Sequence, residues 1–291
     1  MAQINANYER LTKNYLFSEI AERVAAYKQA NPECDLISMG IGDVTQPLPE
    51  AVIAAIKASA DDLGAAQTFR GYGPAEGYAF LREAIARYYR DQLDVSVDAS
   101  EVFVGSGAKD DLGAILDLFG QGVTAIIPDP VYPAYLDVSA MSGNPVVYVD
   151  GDEQNGFLPG PPDGPADLVY LCSPNNPTGG VYTRQGLQQW VDYANGCGAV
   201  ILFDAAYESF ITDPNLPRSI LSIPGAETCA IELCSFSKTA GFTGSIDVFK
   251  ADIQKIQQAA KGKTLTDNVL TQLAYCGGSC GGDDLWAVTF M

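Results

Sequence analysis

The chain has 291 residues, 47% of them hydrophobic, enough for one large domain or two modest ones with a proper core. Lys+Arg 17 against Asp+Glu 36 gives a net charge of −19, which argues against a nucleic-acid or anionic-membrane surface and requires any bound phosphate to be held locally. With no histidine, histidine acid–base chemistry, Ser-His-Asp and Cys-His schemes and histidine metal ligands fall together, leaving lysine, tyrosine and carboxylates.

The opening MAQINANYERL carries no apolar leader, seven cysteines are scattered in odd number, and no run approaches the roughly 18 apolar residues of a membrane span. A reducing, cytoplasmic setting is expected, with no membrane partner. Residues 1–16, with Tyr8, Leu11, Tyr15 and Leu16, lack periodicity and read as an arm laid across something else. Ile20, Val24 and Tyr27 fall at helical spacing, predicting a helix from Phe17 to Ala30 that ends at Asn31-Pro32. Leu36 to Gly42 reads as a short buried strand running into a glycine turn, 43–49 as a loop, and Glu50–Ala60 as a helix. A turn at Gly71-Tyr72-Gly73-Pro74 precedes a helix from Phe80 to Leu93.

From there the pattern is regular. Short apolar runs at 102–104, 124–127, 146–149, 168–171, 200–203 and 229–233 alternate with helical segments or loops. The Gly, Pro and Asp-rich stretch between Val149 and Leu168 reads as a surface loop. Such alternation predicts an α/β domain with a largely parallel sheet, whose ligand sits at the carboxyl ends of the strands.

The polar motifs follow those ends. Gly105-Ser106-Gly107-Ala108-Lys109 turns from a strand into a helix expected over Asp110–Phe119, so its backbone N–H groups face an anion. Cys234-Ser235-Phe236-Ser237-Lys238 places an amine on a short polar segment between hydroxyls and glycines, which suits a Schiff-base lysine for an aldehyde cofactor carrying a phosphate, pyridoxal phosphate (PLP). Ser235 and Ser237 add hydroxyl donors. Asp204, at a strand end, suits a protonated pyridine nitrogen; Tyr207 and Asn176 suit the ring hydroxyl, and Tyr132 offers a flat face for stacking. Each residue alone has an ordinary structural reading: solvated lysine, turn serines, capping aspartate, loop asparagine, buried tyrosines. One aldehyde cofactor, however, uses them all.

SPNNPTG (173–179), FDAAYE (203–208) and SFSKTAGFTG (235–244), in that order, resemble the fold-type I PLP-dependent aminotransferases. NYLFSEI (14–20), MGIGDVTQPLPEAV (39–52), YGPAEGYAFLREAIA (72–86), GAKDD (107–111) and DPVYPAY (129–135) narrow the resemblance to the LL-diaminopimelate aminotransferases over about residues 5–244. It implies a three-layer α/β/α large domain with a mainly parallel sheet. The divisions it implies are an arm and helix at 1–36, an incomplete PLP-binding domain at 37–244, and a tail at 245–291 without a family counterpart, the small domain being missing or replaced.

By the same resemblance, Lys238 is the Schiff-base lysine and proton carrier. Ala108, Lys109, Ser235 and Ser237 surround the phosphate, with Tyr72 reaching it from the partner of a homodimer. Tyr132 stacks on the ring, Asn176 and Tyr207 meet its hydroxyl, and Asp204 its nitrogen. Tyr15, Gly42, Lys109, Tyr132 and Asn176 touch the substrate. The implied reaction moves an amino group between glutamate and tetrahydrodipicolinate, making LL-diaminopimelate for lysine and peptidoglycan synthesis. A degenerate PLP-fold protein without transaminase activity and an aminotransferase for another amino acid stay open as alternatives.

The tail departs from that pattern. The family's phosphate-clamping arginine would stand eight residues after the lysine, where this chain has Ile246, and its substrate arginine belongs to the small domain. Residues 245–291 predict an amphipathic helix Ile246–Ala260, a second segment around Leu265–Tyr275 and a glycine-rich end. There Cys276 and Cys280, without histidine, make a poor metal site. A frameshift, an internal deletion, a mispredicted exon and a degenerate paralogue each account for such a tail.

Overall fold

A computed structural model describes residues 3–11, 16–37, 46–241 and 287–290. The six apolar runs all form strands: β1 (Val102–Gly105), β2 (Ala125–Asp129), β3 (Val146–Asp150), β4 (Leu168–Cys172), β5 (Val200–Asp204) and β6 (Ala230–Ser235). A seventh, β7 (Ala287–Phe290), comes from the tail. The strand order is β1-β7-β6-β5-β4-β2-β3, and only β7 runs antiparallel to its neighbours.

The helices are α1 (Leu16–Ala30), α2 (Glu50–Gly64), α3 (Ala79–Leu93), α4 (Ala108–Ala114), α5 (Ala134–Met141), α6 (Arg184–Cys197) and α7 (Phe236–Ala240). Those packed on the sheet take opposite faces. Side chains of a strand alternate between faces. Thus Leu168, Tyr170 and Leu202 meet Leu112, Ile115, Tyr135 and Val138 of α4, α5 and the turn between them. Val169, Leu171, Ile201 and Phe203 meet Leu187, Trp190 and Val191 of α6. All five residues of β4 are buried, as a strand covered on both sides requires.

In α6, the apolar positions 187, 190, 191 and 194 form one helical stripe. Thr183 caps its start, accepting from Gly186 N at 3.1 Å, and Gly198 ends it at φ 78°, where a glycine avoids the left-handed penalty. On the same face, α3 lays Ile85 and Tyr89 against Val102 and Val95.

Several expectations need adjustment. The helix predicted over 110–119 starts earlier, at Ala108, and after Ala114 tightens into a 3-10 turn over Ile115–Leu118. Of the strand expected over Leu36–Gly42, residues 38–42 lie outside the described residues, while 34–37 has no regular structure and Ile37 is 81% exposed. The loop between β3 and β4 is not all surface. Pro159 is buried, its carbonyl accepting from Trp190 Nε1 at 3.1 Å and Tyr182 OH at 3.0 Å. The arm does lie across another element: its 3-10 turn Ala6–Arg10 rests on the end of α5, where Asn5 Nδ2 donates to Met141 O at 3.0 Å and Arg10 Nη2 to Asn144 O at 3.3 Å.

The helices expected at 246–260 and around 265–275, with Cys276 and Cys280, lie outside the described residues. Strand β7 fills the place between β6 and the edge strand β1. Gly105 and Ser235, the carboxyl ends of β1 and β6, both pair with Ala287, which holds them level and two strand spacings apart, about 9.5 Å.

Candidate active site

The carboxyl ends of β1, β2, β4, β5 and β6 share one edge of the sheet, and each is followed by one of the polar motifs. Register ties them together: Cys172 pairs with Asp204 and Asp204 with Leu233. Ser173 N donates to Asp204 O at 3.1 Å and Ala205 N to Leu233 O at 2.8 Å, extending the ladder past the strand ends. Residues far apart in sequence converge here because parallel strands joined by crossovers must all end on the same side.

Lys238 stands on α7, the short helix that begins as β6 ends. Ser235 caps that helix, its Oγ accepting from Ser237 N at 3.1 Å, and both serines are buried. The half-buried Lys238 holds Nζ 5.9 Å from the ring centroid of Tyr207. Two hydroxyls, an amine and an aromatic phenol therefore meet within two adjacent strand ends.

Asp204 receives a hydrogen bond from Tyr135 OH at 2.5 Å and, on its other oxygen, from Ala206 N at 3.0 Å. Tyr135 is fully buried, stacked on Tyr170 at 5.2 Å between centroids and edge-on to Tyr132 at 5.8 Å. Burial, with the Asp204 charge second, pushes the Tyr135 hydroxyl well above its ordinary range, so it donates and does not ionise. Cys172, beside Asp204, is likewise pushed up by burial first and the aspartate second. Asp204 is thus an acceptor with fixed direction. Tyr135 was missed in the sequence because it reads as one more core aromatic of DPVYPAY; its position three residues after Tyr132 was the available signal.

The loops carrying Tyr132 and Asn176 are tied by Asn175, also overlooked: its Nδ2 donates to Pro130 O at 3.0 Å and to Thr178 Oγ1 at 2.9 Å. Tyr132 and Asn176 themselves are half-buried at this edge.

The turn after β1 brings Ala108, buried, and Lys109, half-buried, to the start of α4. Its first helical turn also carries Asp110 and Asp111, which suit a helix N-terminus but oppose a second anion. Asp111 packs so closely on Gly105 that a Cβ there would lie 2.0 Å from Oδ1, so any larger residue would displace the Asp111 carboxylate. Lys109 faces Asp137 of α5, whose carboxyl is raised by burial and partly restored by the lysine's charge. Local positive charge thus comes from Lys109 and Lys238, set against aspartates.

Tyr72 is not part of this cluster within one chain; it stands fully exposed in the turn before α3. Tyr15 and Gly42 lie outside the described residues. A separate groove between the N-terminal turn and α4–α5, lined by Asn5, Tyr8, Leu116, Phe119 and Met141, opens at the opposite, amino-terminal edge of the sheet. No described helix is long and apolar enough to cross a membrane.

Comparison with known proteins follows the same outline. The sequence model of the family "Aminotransferase class I and II" matches residues 34–274, reaching past Gly244, where the motif resemblance stops. The LL-diaminopimelate aminotransferase of Desulfosudis oleivorans is 50% identical over 255 residues, covering 84% of this chain and 62% of that protein. Among solved structures, the LL-diaminopimelate aminotransferase from Chlamydomonas reinhardtii superposes with a TM-score of 0.76 at 39% identity, over 84% of this chain and 62% of the other. A substrate-bound BacF structure from Bacillus subtilis gives 0.73 at 28% identity, with the same coverage. The chain spans 62% of the length of these relatives.

Proposed function

Because the chain belongs to the class I and II aminotransferases, we propose that it binds PLP at the carboxyl edge of its sheet and transfers an amino group. The substrates proposed are glutamate/2-oxoglutarate and tetrahydrodipicolinate/LL-2,6-diaminopimelate. The observation that carries the reading is Lys238 Nζ set 5.9 Å over Tyr207, next to an Asp204 carboxylate directed by Tyr135 and Ala206 N. The substrate pair is supported by the 50% identity to an LL-diaminopimelate aminotransferase.

The donor set fits the cofactor: a directed carboxylate for a pyridinium nitrogen, a phenol and an amide for a ring hydroxyl, one lysine for the aldehyde, and backbone N–H groups, a second lysine and two serines for a phosphate. Bound PLP supplies the electron sink that makes the substrate's α-proton removable. Asp204 would keep the ring nitrogen protonated, and Tyr135 fixes which carboxylate oxygen faces it. Tyr207 OH and Asn176 would hold the ring hydroxyl, and Tyr132 would cover one face. Lys238 Nζ would hold the aldehyde carbon and is the amine placed to take up and return the substrate's α-proton. Ala108, Lys109, Ser235 and Ser237 would seat the phosphate, with Tyr72 of a second copy completing it in a cytoplasmic homodimer. Tyr15, Gly42, Lys109, Tyr132 and Asn176 would meet the substrate.

A second reading is a PLP-binding protein that does not transaminate. It is favoured by Ile246 at the place of the phosphate arginine. A visible spectrum of the purified protein with PLP, before and after borohydride, decides the first step: a reducible band absent from Lys238→Ala is expected, and no band in the parent protein refutes cofactor binding. Glutamate-driven conversion of that band then separates transferase from binder. Comparing LL-diaminopimelate with aspartate, alanine and aromatic amino acids identifies the substrate.

A further inference from the structure

Two consecutive tyrosines of α3 grip two different buried carboxylates. Tyr88 OH donates to Glu208 Oε1 at 2.9 Å and accepts from Arg218 Nη2 at 2.7 Å, while Arg218 Nε donates to Glu208 Oε2 at 2.7 Å. Tyr89 OH donates to Glu232 Oε1 at 2.6 Å; the other Glu232 oxygen accepts from Ser219 Oγ at 2.8 Å and Ile220 N at 2.9 Å. Residues 88–89 from one side and 218–220 from the other therefore close on the carboxylates as a double clamp.

The two gripped positions are not arbitrary. Glu208 follows Tyr207 and opens the 3-10 turn Glu208–Phe210 that Tyr207 caps. Glu232 lies on β6, six residues before Lys238. Glu208 is 5% exposed and Glu232 0%, so both carboxylates are costly to bury and are retained only with their donors in place. Apolar side chains of similar volume would hold such a core at least as well; what the polar arrangement adds is direction, since each bond is made at one geometry.

We propose that Tyr88, Glu208, Arg218, Tyr89 and Glu232 act as positioning residues that set the Tyr207 ring against the Lys238 amine. This rests on the reading of Lys238 and Tyr207 as cofactor residues, and none of the five needs to touch cofactor or substrate. The arginine locks the turn that carries Tyr207, and the Glu232 cluster locks the strand that delivers Lys238. Both locks are referenced to the same turn of α3.

The test compares Tyr88→Phe and Arg218→Lys in the full chain. Arg184→Lys serves as control, its guanidinium binding Ser222 O on the surface at 3.2 Å. With PLP, the pH midpoint of the visible band should move by about half a unit or more in both clamp variants and stay fixed in the control. Without PLP, amide exchange at 205–211, the turn that Tyr88 and Arg218 hold through Glu208, should rise about tenfold in both, beyond any change in α3 itself. An unmoved midpoint, or faster exchange confined to α3, overturns the proposal. If the parent protein takes no PLP, the cofactor reading fails separately and the exchange pattern alone decides. If Arg218→Lys does not fold, Tyr88→Phe decides.

Discussion

Glu232→Gln isolates the energetic cost of a carboxylate in the middle of the sheet. Glu232 is fully buried, and burial raises its pKa from 4.5 to about 7 against the opposing pull of Tyr89, Ser219 and Ile220 N. Between those two values the folded protein holds a proton that the unfolded chain has released, so stability falls as pH rises through the window. The full span is worth up to about 3 kcal/mol, at about 1.4 kcal/mol per pKa unit. Glutamine keeps the shape. Its carbonyl can accept from Ser219 and Ile220 N, and its amide can donate to the Tyr89 oxygen once that hydroxyl turns to Cys234 Sγ, 2.9 Å away. Urea unfolding of both proteins at steps from pH 4.5 to 7.5 should show the parent losing up to about 3 kcal/mol relative to the variant, with little difference at the acid end. The comparison cancels the general repulsion of a chain with net charge −19. Parallel stability curves across the window would refute the reasoning.

Other sites give independent expectations. Tyr135→Phe keeps the ring stack on Tyr170 and removes the bond to Asp204; unfolding free energy should drop by about 1.5–3 kcal/mol, measured in urea, and an unchanged value would mean the aspartate is equally well served without it. Val288→Pro takes an N–H from β7, whose neighbours β1 and β6 lie on both sides; amide exchange across Val102–Gly105 should accelerate by about tenfold or more, and unaltered protection would show that β1 is held otherwise. Trp190→Ala empties a fully buried site and removes one of the two donors to the Pro159 carbonyl, leaving Tyr182 OH, so a loss of about 3–5 kcal/mol is expected in the same unfolding assay.

Period and composition carried most of the fold. Six apolar runs became six strands because an apolar run between turn signals has few other ways to satisfy its backbone while buried. Leu36-Ile37 shows the limit: local apolarity does not by itself bury a segment, and Ile37 is exposed. The candidate site was legible wherever a polar residue interrupts an apolar pattern at a strand end, as at Asp204, Asn176 and Lys238. It was illegible at Tyr135, Asn175, Tyr88 and Glu232, whose roles depend on partners distant in the chain. The Tyr135–Asp204 and Tyr89–Glu232 bonds span 69 and 143 residues.

What the sequence determined by itself is therefore the alternation of elements, the sheet they build and the residue types gathered at its carboxyl edge. These follow from local propensity and from the period of burial. Tertiary structure alone decided that a four-residue strand from 287–290 joins β1 to β6, that Tyr135 directs Asp204, and that α3 grips two buried carboxylates. Each of these is a contact between segments remote in sequence, and no local pattern encodes which buried polar group will find which partner.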